Sequence, residues 1–436
     1  MGAKIGRRAF ISPENGGFRE IDFLHVGDDC CLMTPNIHGH YTDHGALQFC
    51  PVKLESGCEI NPGVTIMPLT SYGNNCCLRP FAVTVKGQHC KANTEYIGNP
   101  CKLLKSSSHK VAILFGGQGS QYPGMLDHLV NCTEAVELLE KAQHILGIDI
   151  LKLSSITSDA ETMKNTDIAQ PIVTVANLMA VEVMRKKDAI DVSRVIVCAG
   201  FSLGELSALC FAGAISFEDT LKLVKIRADA MAACEVGAMC NVRGIARTEI
   251  KGLSRRFNCS IANIICDHDT AGEGKDARSL LAKNVYCIAG STDNIDKLIE
   301  FVNDHNGDEE RGSVSAKRLR VSAAFHSHYM EDAKVKMAAA LNLIDVKFPV
   351  NYLVYSNVTG RPYRSINEIR NLLPLQITSP VQWHNTIMDM TQTEGINKFI
   401  ECGPTDTLSK TVRLIVTDIA DNQITASDSY LMGVGG

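Results

Sequence analysis

Along the first hundred residues, large apolar side chains recur every six positions: Leu54, Ile60, Ile66, Tyr72 and Leu78. Four positions after each comes a small residue, Cys58, Val64, Thr70, Cys76 and Ala82, and Gly or Pro interrupts between them. Upstream, Val26-Gly27-Asp28-Asp29-Cys30 and Leu32 restate the period, and Ile5-Gly6 and Ile11 begin it. Such a repeat predicts a chain that turns a corner every six residues. It would fill a narrow prism with one bulky and one small side chain per side. His38 to Phe49 breaks the period and reads as a polar loop carrying His38, His40 and His44.

After the polar linker Lys105-Ser106-Ser107-Ser108-His109-Lys110, the six-residue period disappears. Apolar runs that read as strands (Val111–Phe115, Val195–Ala199, Lys398–Cys402) now alternate with helical patterns at Thr133–Leu146 and Gln170–Arg185. Phe348–Val358 reads as strands around a turn. This alternation predicts an α/β unit, a parallel sheet flanked by helices. Within it, strands at Ala238–Ala246, Ser260–Cys266, Val285–Gly290 and Lys317–Val321 enclose helices at Thr248–Phe257 and Ile295–Asn303. The order βαββαβ is that of a ferredoxin-like insertion. Asp267–Lys283 is a long charged loop between its second and third strands.

At 436 residues the chain is long enough for two or three domains. Hydrophobic residues at 45% and a net charge of −5 give no electrostatic reason to expect a nucleic-acid partner. No run reads as a membrane span, and the start lacks a secretory apolar core. Seventeen cysteines without paired CxxC spacing suggest reduced, buried thiols rather than a zinc site. The expected setting is therefore the cytoplasm or an organelle interior, with no secretion and no metal.

The chemistry concentrates at Gly200-Phe201-Ser202-Leu203-Gly204, between an apolar strand and the helical stretch Leu206–Ala212. This is a Gly-x-Ser-x-Gly elbow, which exposes one serine hydroxyl beside backbone amides. Four other stretches accompany it: Phe115-Gly116-Gly117-Gln118-Gly119-Ser120-Gln121, Lys225–Met231 around Arg227, Ser322–Met330 around Phe325-His326, and Gln376–Trp383 followed by Gly403-Pro404.

In that order and spacing, residues 110–418 resemble malonyl-CoA:acyl-carrier-protein transacylases and the acyltransferase domains of fatty-acid and polyketide synthases. Phe201 stands where many members carry histidine, although mitochondrial-type members carry phenylalanine. Gly116 replaces a more usual proline, and Gly403-Pro404-Thr405 lacks the usual second glycine. The resemblance implies a hydrolase-like parallel-sheet subdomain with the ferredoxin-like subdomain, residues 238–321, inserted, and a C-terminal tail over 419–436. It implies Ser202 as nucleophile and His326 as base, the latter oriented by the Gln376 carbonyl. It places the oxyanion at the N–H groups of Gln118 and Leu203. Arg227 would pair with the malonyl carboxylate, with Met231, Phe325 and Asn263 lining the substrate site. His328 matches no family position and is expected to face solvent. No bound cofactor is implied: malonyl-CoA is a substrate, and the phosphopantetheine arrives on an acyl carrier protein.

Residues 1–104 resemble the left-handed parallel β-helix of hexapeptide-repeat acyltransferases, with Glu95–Pro100 as its terminating segment. The resemblance leaves open a scaffold, a homo-oligomer through the β-helix, or a second acyltransferase site at the histidine-bearing loop. For the whole chain, a serine acyl-hydrolase and a non-catalytic docking module are the competing readings; Arg227 argues against the first, the intact residue set against the second.

Overall fold

The computed structural model describes residues 3–12, 21–92, 94–103, 110–186, 194–268, 279–304, 314–321, 323–348, 350–416 and 425–427. They fall into two compact units, one built around the first 110 residues and the other around the remainder.

In the first unit, strands of two or three residues pair in parallel in three ladders. One runs through Lys4–Ile5, Leu24–Val26, Val52–Leu54, Ser71–Tyr72 and His89–Cys90. A second runs through Phe10–Ile11, Cys31–Leu32, Glu59–Ile60, Cys77–Leu78 and Glu95–Ile97, and ends on an antiparallel pair with Lys102–Leu103. The third joins Asn36–Ile37 to Thr65–Ile66, and Thr65 bridges to Val83. Successive partners lie 18 residues apart, as in Lys53↔Ser71↔His89 and Glu59↔Cys77↔Glu95. All ten residues of the six-residue pattern, from Leu54 to Ala82, are buried in one cluster or beside it. The thiols there behave as small apolar groups: Cys30 and Cys58 donate to the carbonyls of Glu55 and Gly73, and burial pushes the Cys58 thiol up to about 12.

The stretch expected as a polar loop is instead an antiparallel hairpin, His40–Asp43 against Ala46–Phe49. Its turn residues His44 and Gly45 both have positive φ, 44° and 80°, the geometry that matches strand twist in a two-residue hairpin. Its second strand is exposed along its length, so no buried face marked it in the pattern. Of the linker, only Lys110 lies among the described residues; its Nζ pairs with Glu95.

The second unit is built on a five-stranded sheet in the order Leu353–Val354, Val195–Gly200, Val111–Phe115, Lys398–Cys402, Thr425–Ser427. Lys398–Cys402 is parallel to both of its neighbours. The last strand lies beyond residue 418, so the boundary expected there falls short of the sheet. Thr425-Ala426-Ser427 carries no apolar run to signal a strand.

Helix Thr166–Lys186 is 21 residues long and passes for a membrane span by length and composition alone. Its most apolar window is 83% buried inside the unit, the behaviour of a core helix, and it buries Gln170 and Asn177 with its apolar residues. The inserted sheet is fully antiparallel, in the order Ser260–Cys266, Val285–Gly290, Ala238–Arg243, Ser315–Arg318, with helices Arg247–Arg256 and Thr292–Asp304 between its strands. Its first strand stops before the expected Ala246, where Gly244 takes φ 76°. Residues 269–278 of the charged loop lie outside the described set. At its start, Asp267 is buried and holds Tyr286 and Arg247.

Candidate active site

The elbow is formed by a backbone squeezed between strand and helix. Strand Val195–Gly200 ends at Gly200, Ser202 adopts φ 53°, and helix Gly204–Phe211 begins two residues later. A β-carbon on Gly200 would sit 1.8 Å from the Gly204 carbonyl carbon, and one on Gly204 would sit 2.2 Å from the Phe115 carbonyl oxygen. Both glycines are therefore steric requirements of the turn. The left-handed conformation at Ser202 is held by Asn357, whose Oδ1 accepts from the Ser202 N–H at 2.6 Å while its Nδ2 donates to Gly200 O at 2.7 Å.

His326 lies just past the last strand of the inserted sheet. It too has positive φ, 57°, and is only 4% exposed. Its Nδ1–H donates to the Gln376 carbonyl at 2.8 Å, and its Nε2 lies 2.7 Å from Ser202 Oγ. A carbonyl can only accept, so Nδ1 carries the proton and Nε2 is left to accept from the serine hydroxyl. Burial first, and then the Arg227 charge, hold the imidazole down to about 4, against the pull of its bonds to Gln376 and Ser379. It is therefore neutral, and able to take a proton, throughout the physiological range.

Arg227 comes from helix Phe217–Ala232 and is 2% exposed. Its Nη2 donates to Ser202 Oγ at 3.1 Å and to Gln376 Oε1 at 3.2 Å, and its Nη1 to Gln170 Oε1 at 2.7 Å. Burial lowers its pKa, to about 10, but it stays charged at neutral pH. Gln170 extends the network: its Nε2 lies 3.5 Å from Met231 Sδ and donates to Gln118 Oε1 at 3.2 Å, and Gln118 Nε2 donates to Thr166 Oγ1 at 3.1 Å. A cationic fork is thus fixed against a serine hydroxyl that already faces a neutral imidazole.

Of the sequence-predicted residues, Ser202, His326, Gln376, Arg227, Met231 and the Gln118 side chain fall into this one hydrogen-bonded cluster. The backbone N–H groups of Gln118 and Leu203 donate to no described residue. Phe325 is buried beside His326 in the chain. Asn263 sits in a bulged strand, bridged to Val381, and its Oδ1 has no partner; no hydrogen bond joins it to the cluster. His328 is exposed. In the first unit, His38 and His40 are half-buried and His44, at the hairpin turn, is fully open to solvent. Among the described residues no group of His, Cys, Asp or Glu is arranged to hold a metal ion.

Sequence reasoning missed Gln170, Asn357, Glu205 and Tyr363. Glu205 is wholly buried, and accepts from Tyr363 Oη at 2.5 Å, Gln376 Nε2 at 2.6 Å and Asn357 N at 3.2 Å. A carboxyl directly after the elbow, at a position reading as buried helix, was the one available signal.

The family model of the acyl transferase domain matches residues 113–271, which defines the class. A probable mitochondrial malonyl-CoA-acyl carrier protein transacylase of Drosophila melanogaster is 33% identical over 329 residues, spanning 71% of this chain and 79% of the relative. The mitochondrial malonyl-CoA-acyl carrier protein transacylase of Homo sapiens is 33% identical over 303 residues, 67% of this chain and 73% of its own. Among solved structures, the acyl-carrier-protein-S-malonyltransferase of Bartonella henselae superposes with a TM-score of 0.62 at 27% identity, covering 72% of this chain and 94% of that one. The chain belongs to the malonyl-CoA–acyl carrier protein transacylase family.

Proposed function

We propose that this protein is an [acyl-carrier-protein] S-malonyltransferase. It moves a malonyl group from malonyl-CoA to the phosphopantetheine thiol of an acyl carrier protein, in fatty-acid or polyketide synthesis. Ser202 Oγ attacks the thioester carbonyl as His326 Nε2 takes its proton. The N–H groups of Gln118 and Leu203 receive the oxyanion; the C–S bond then breaks and coenzyme A leaves with the proton from His326. In the second half, His326 takes the proton of the carrier thiol, the sulfur attacks the seryl ester carbonyl, the Ser202 Oγ–acyl bond breaks, and His326 returns the proton to Oγ as the malonyl carrier leaves. Orientation of His326 by the Gln376 carbonyl needs no third carboxylate, because any good acceptor fixes the tautomer.

The observation that carries this reading is Arg227. A buried guanidinium 3.1 Å from the nucleophile suits a substrate that brings its own carboxylate, and pairs with it through two N–H groups. A hydrolase of neutral esters would have no use for it. Met231, Phe325 and Asn263 would shape the rest of the acyl site. The transacylase domain then runs from residue 110 through the strand at 425–427, with 238–321 as its ferredoxin-like insertion.

For residues 1–104 the reading is a left-handed hexapeptide-repeat β-helix serving as a scaffold and as the seat of any homo-oligomer; the 18-residue register and the six-residue core support it. The mitochondrial relatives favour an organelle-interior or cytoplasmic setting.

The test is incubation with radiolabelled malonyl-CoA, then with a carrier protein. Label should attach to the wild-type chain, pass to the carrier, and fail to attach to Ser202→Ala. Label that drains only to free malonate would instead identify a hydrolase.

A further inference from the structure

Glu205 takes no part in the reaction as written, yet it is the most deeply buried acid of the site. We propose that Glu205 is a positioning residue for transfer, fixing the Gln376 amide and the Asn357 backbone and, through them, the acceptor of His326 and the elbow of Ser202. The inference rests on Ser202 and His326 being the reacting pair.

Every group that meets the Glu205 carboxyl is a donor. Oε1 takes the Tyr363 hydroxyl and the Asn357 N–H, and Oε2 takes Gln376 Nε2. An ionised carboxylate satisfies all three, whereas a protonated acid would turn a hydrogen toward one of them. Burial pushes the pKa up more than these three donors and the Arg227 charge pull it down, leaving it raised to about 7. Arg227 and Tyr363 are the titratable groups that act on it in this network.

The consequence falls on Gln376. Its Nε2 donates to Glu205 and, at 2.7 Å, to Ser202 O, which occupies both amide hydrogens. Its Oε1 then faces the Arg227 Nη2 donor. Turned over, the amide would set oxygen against the Glu205 carboxylate and the Ser202 carbonyl, and hydrogen against the guanidinium. Glu205 therefore dictates the orientation of a side chain whose own backbone carbonyl holds His326. It also lies across the amide from Arg227, as its nearest buried counter-charge. On the other side, Asn357 carries the constraint to the Ser202 N–H. All three of its partners, Asn357, Tyr363 and Gln376, come from segments more than 150 positions away in the chain, so one carboxylate ties one backbone N–H and two side chains of distant segments to the elbow.

The experiment compares wild type, Glu205→Gln and Tyr363→Phe in the full-length chain. Three quantities are read: the rate at which a fluorophosphonate probe modifies Ser202, kcat and KM for malonyl transfer, and the thermal midpoint. In Glu205→Gln the new amide sets its NH2 donor against donor in either orientation, against Gln376 Nε2 or, turned over, against the Asn357 N–H. Phosphonylation and kcat should both fall roughly tenfold to a hundredfold, the range for losing a bond to a charged group, with KM changed less than about threefold. Tyr363→Phe should fall a few-fold in the same two rates.

A Glu205→Gln chain that melts earlier but keeps both rates per folded molecule overturns the proposal, since only a structural role would behave so. If that variant does not fold, Tyr363→Phe decides, and unchanged rates in it overturn the proposal. Wild type that is phosphonylated but transfers no malonyl would sink the transacylase reading alone, because the probe rates still judge Glu205.

Discussion

In the first unit, every six residues supply one bulky and one small side chain to the interior, and the polar groups buried there are thiols, Thr70, Thr84, the Tyr72 hydroxyl and a single charged side chain, Arg79, which Glu95 pairs. In the second, the interior holds Arg227, Glu205, His326, Gln170, Asn357 and Gln376, all nearly closed to water. Burying such groups is costly unless each is paired, and here each has a partner from another segment. The first unit repeats a local rule; the second assembles a non-repeating network. Repetition packs short strands around one apolar interior, and the network holds reactive groups in one geometry.

Gly204→Ala is the sharpest way to break the second unit alone. The added β-carbon meets the Phe115 carbonyl, so the elbow must shift, and misplacement by about 1 Å costs on the order of a hundredfold in rate. Steady-state transfer should fall at least that far. In the first unit, Ile60→Ala removes a fully buried side chain from one rung and should cost about 2–5 kcal/mol in the unfolding of that unit, read by denaturant titration. Transfer by the folded variant should be unchanged.

The comparison also says which parts of the molecule were legible in sequence. The interior of the first unit was, because residue spacing alone places Leu54, Ile60, Ile66, Tyr72 and Leu78 inside. Ser202, Arg227 and His326 were, because each sits in a dense local motif. Glu205, Asn357, Tyr363 and Gln170 were not, since their roles exist only after distant segments meet, as in the bond between Ser202 N and Asn357. The hairpin at residues 40–49 buries no apolar face that a pattern could reveal, and Thr425-Ala426-Ser427 carries no apolar run.

A milder perturbation is pH. With His326 held down to about 4, the base stays neutral until the pH falls near that value. The limb of kcat/KM set by His326 should therefore lie near pH 4 rather than near 6.5, with activity lost as pH falls through it. Protonation of Glu205 at about 7 adds a separate, higher limb, which Glu205→Gln should remove. A limb near 6.5 that persists in Glu205→Gln would mean that the imidazole is far more hydrated than this packing implies. The smallest effect is expected from His44→Ala at the open hairpin turn, where transfer should change less than about twofold. A larger loss would point to acyl transfer in the first unit.

The central claim, that the second unit's buried cation selects a substrate carrying its own carboxylate, is tested most directly by the ratio of kcat/KM for malonyl-CoA to that for acetyl-CoA, in wild type and in Arg227→Ala. Loss of one member of a buried charge pair is worth about 2–5 kcal/mol. The account predicts a strong malonyl preference in wild type that collapses by roughly thirtyfold or more in the variant. An unchanged ratio in a folded Arg227→Ala protein would contradict it.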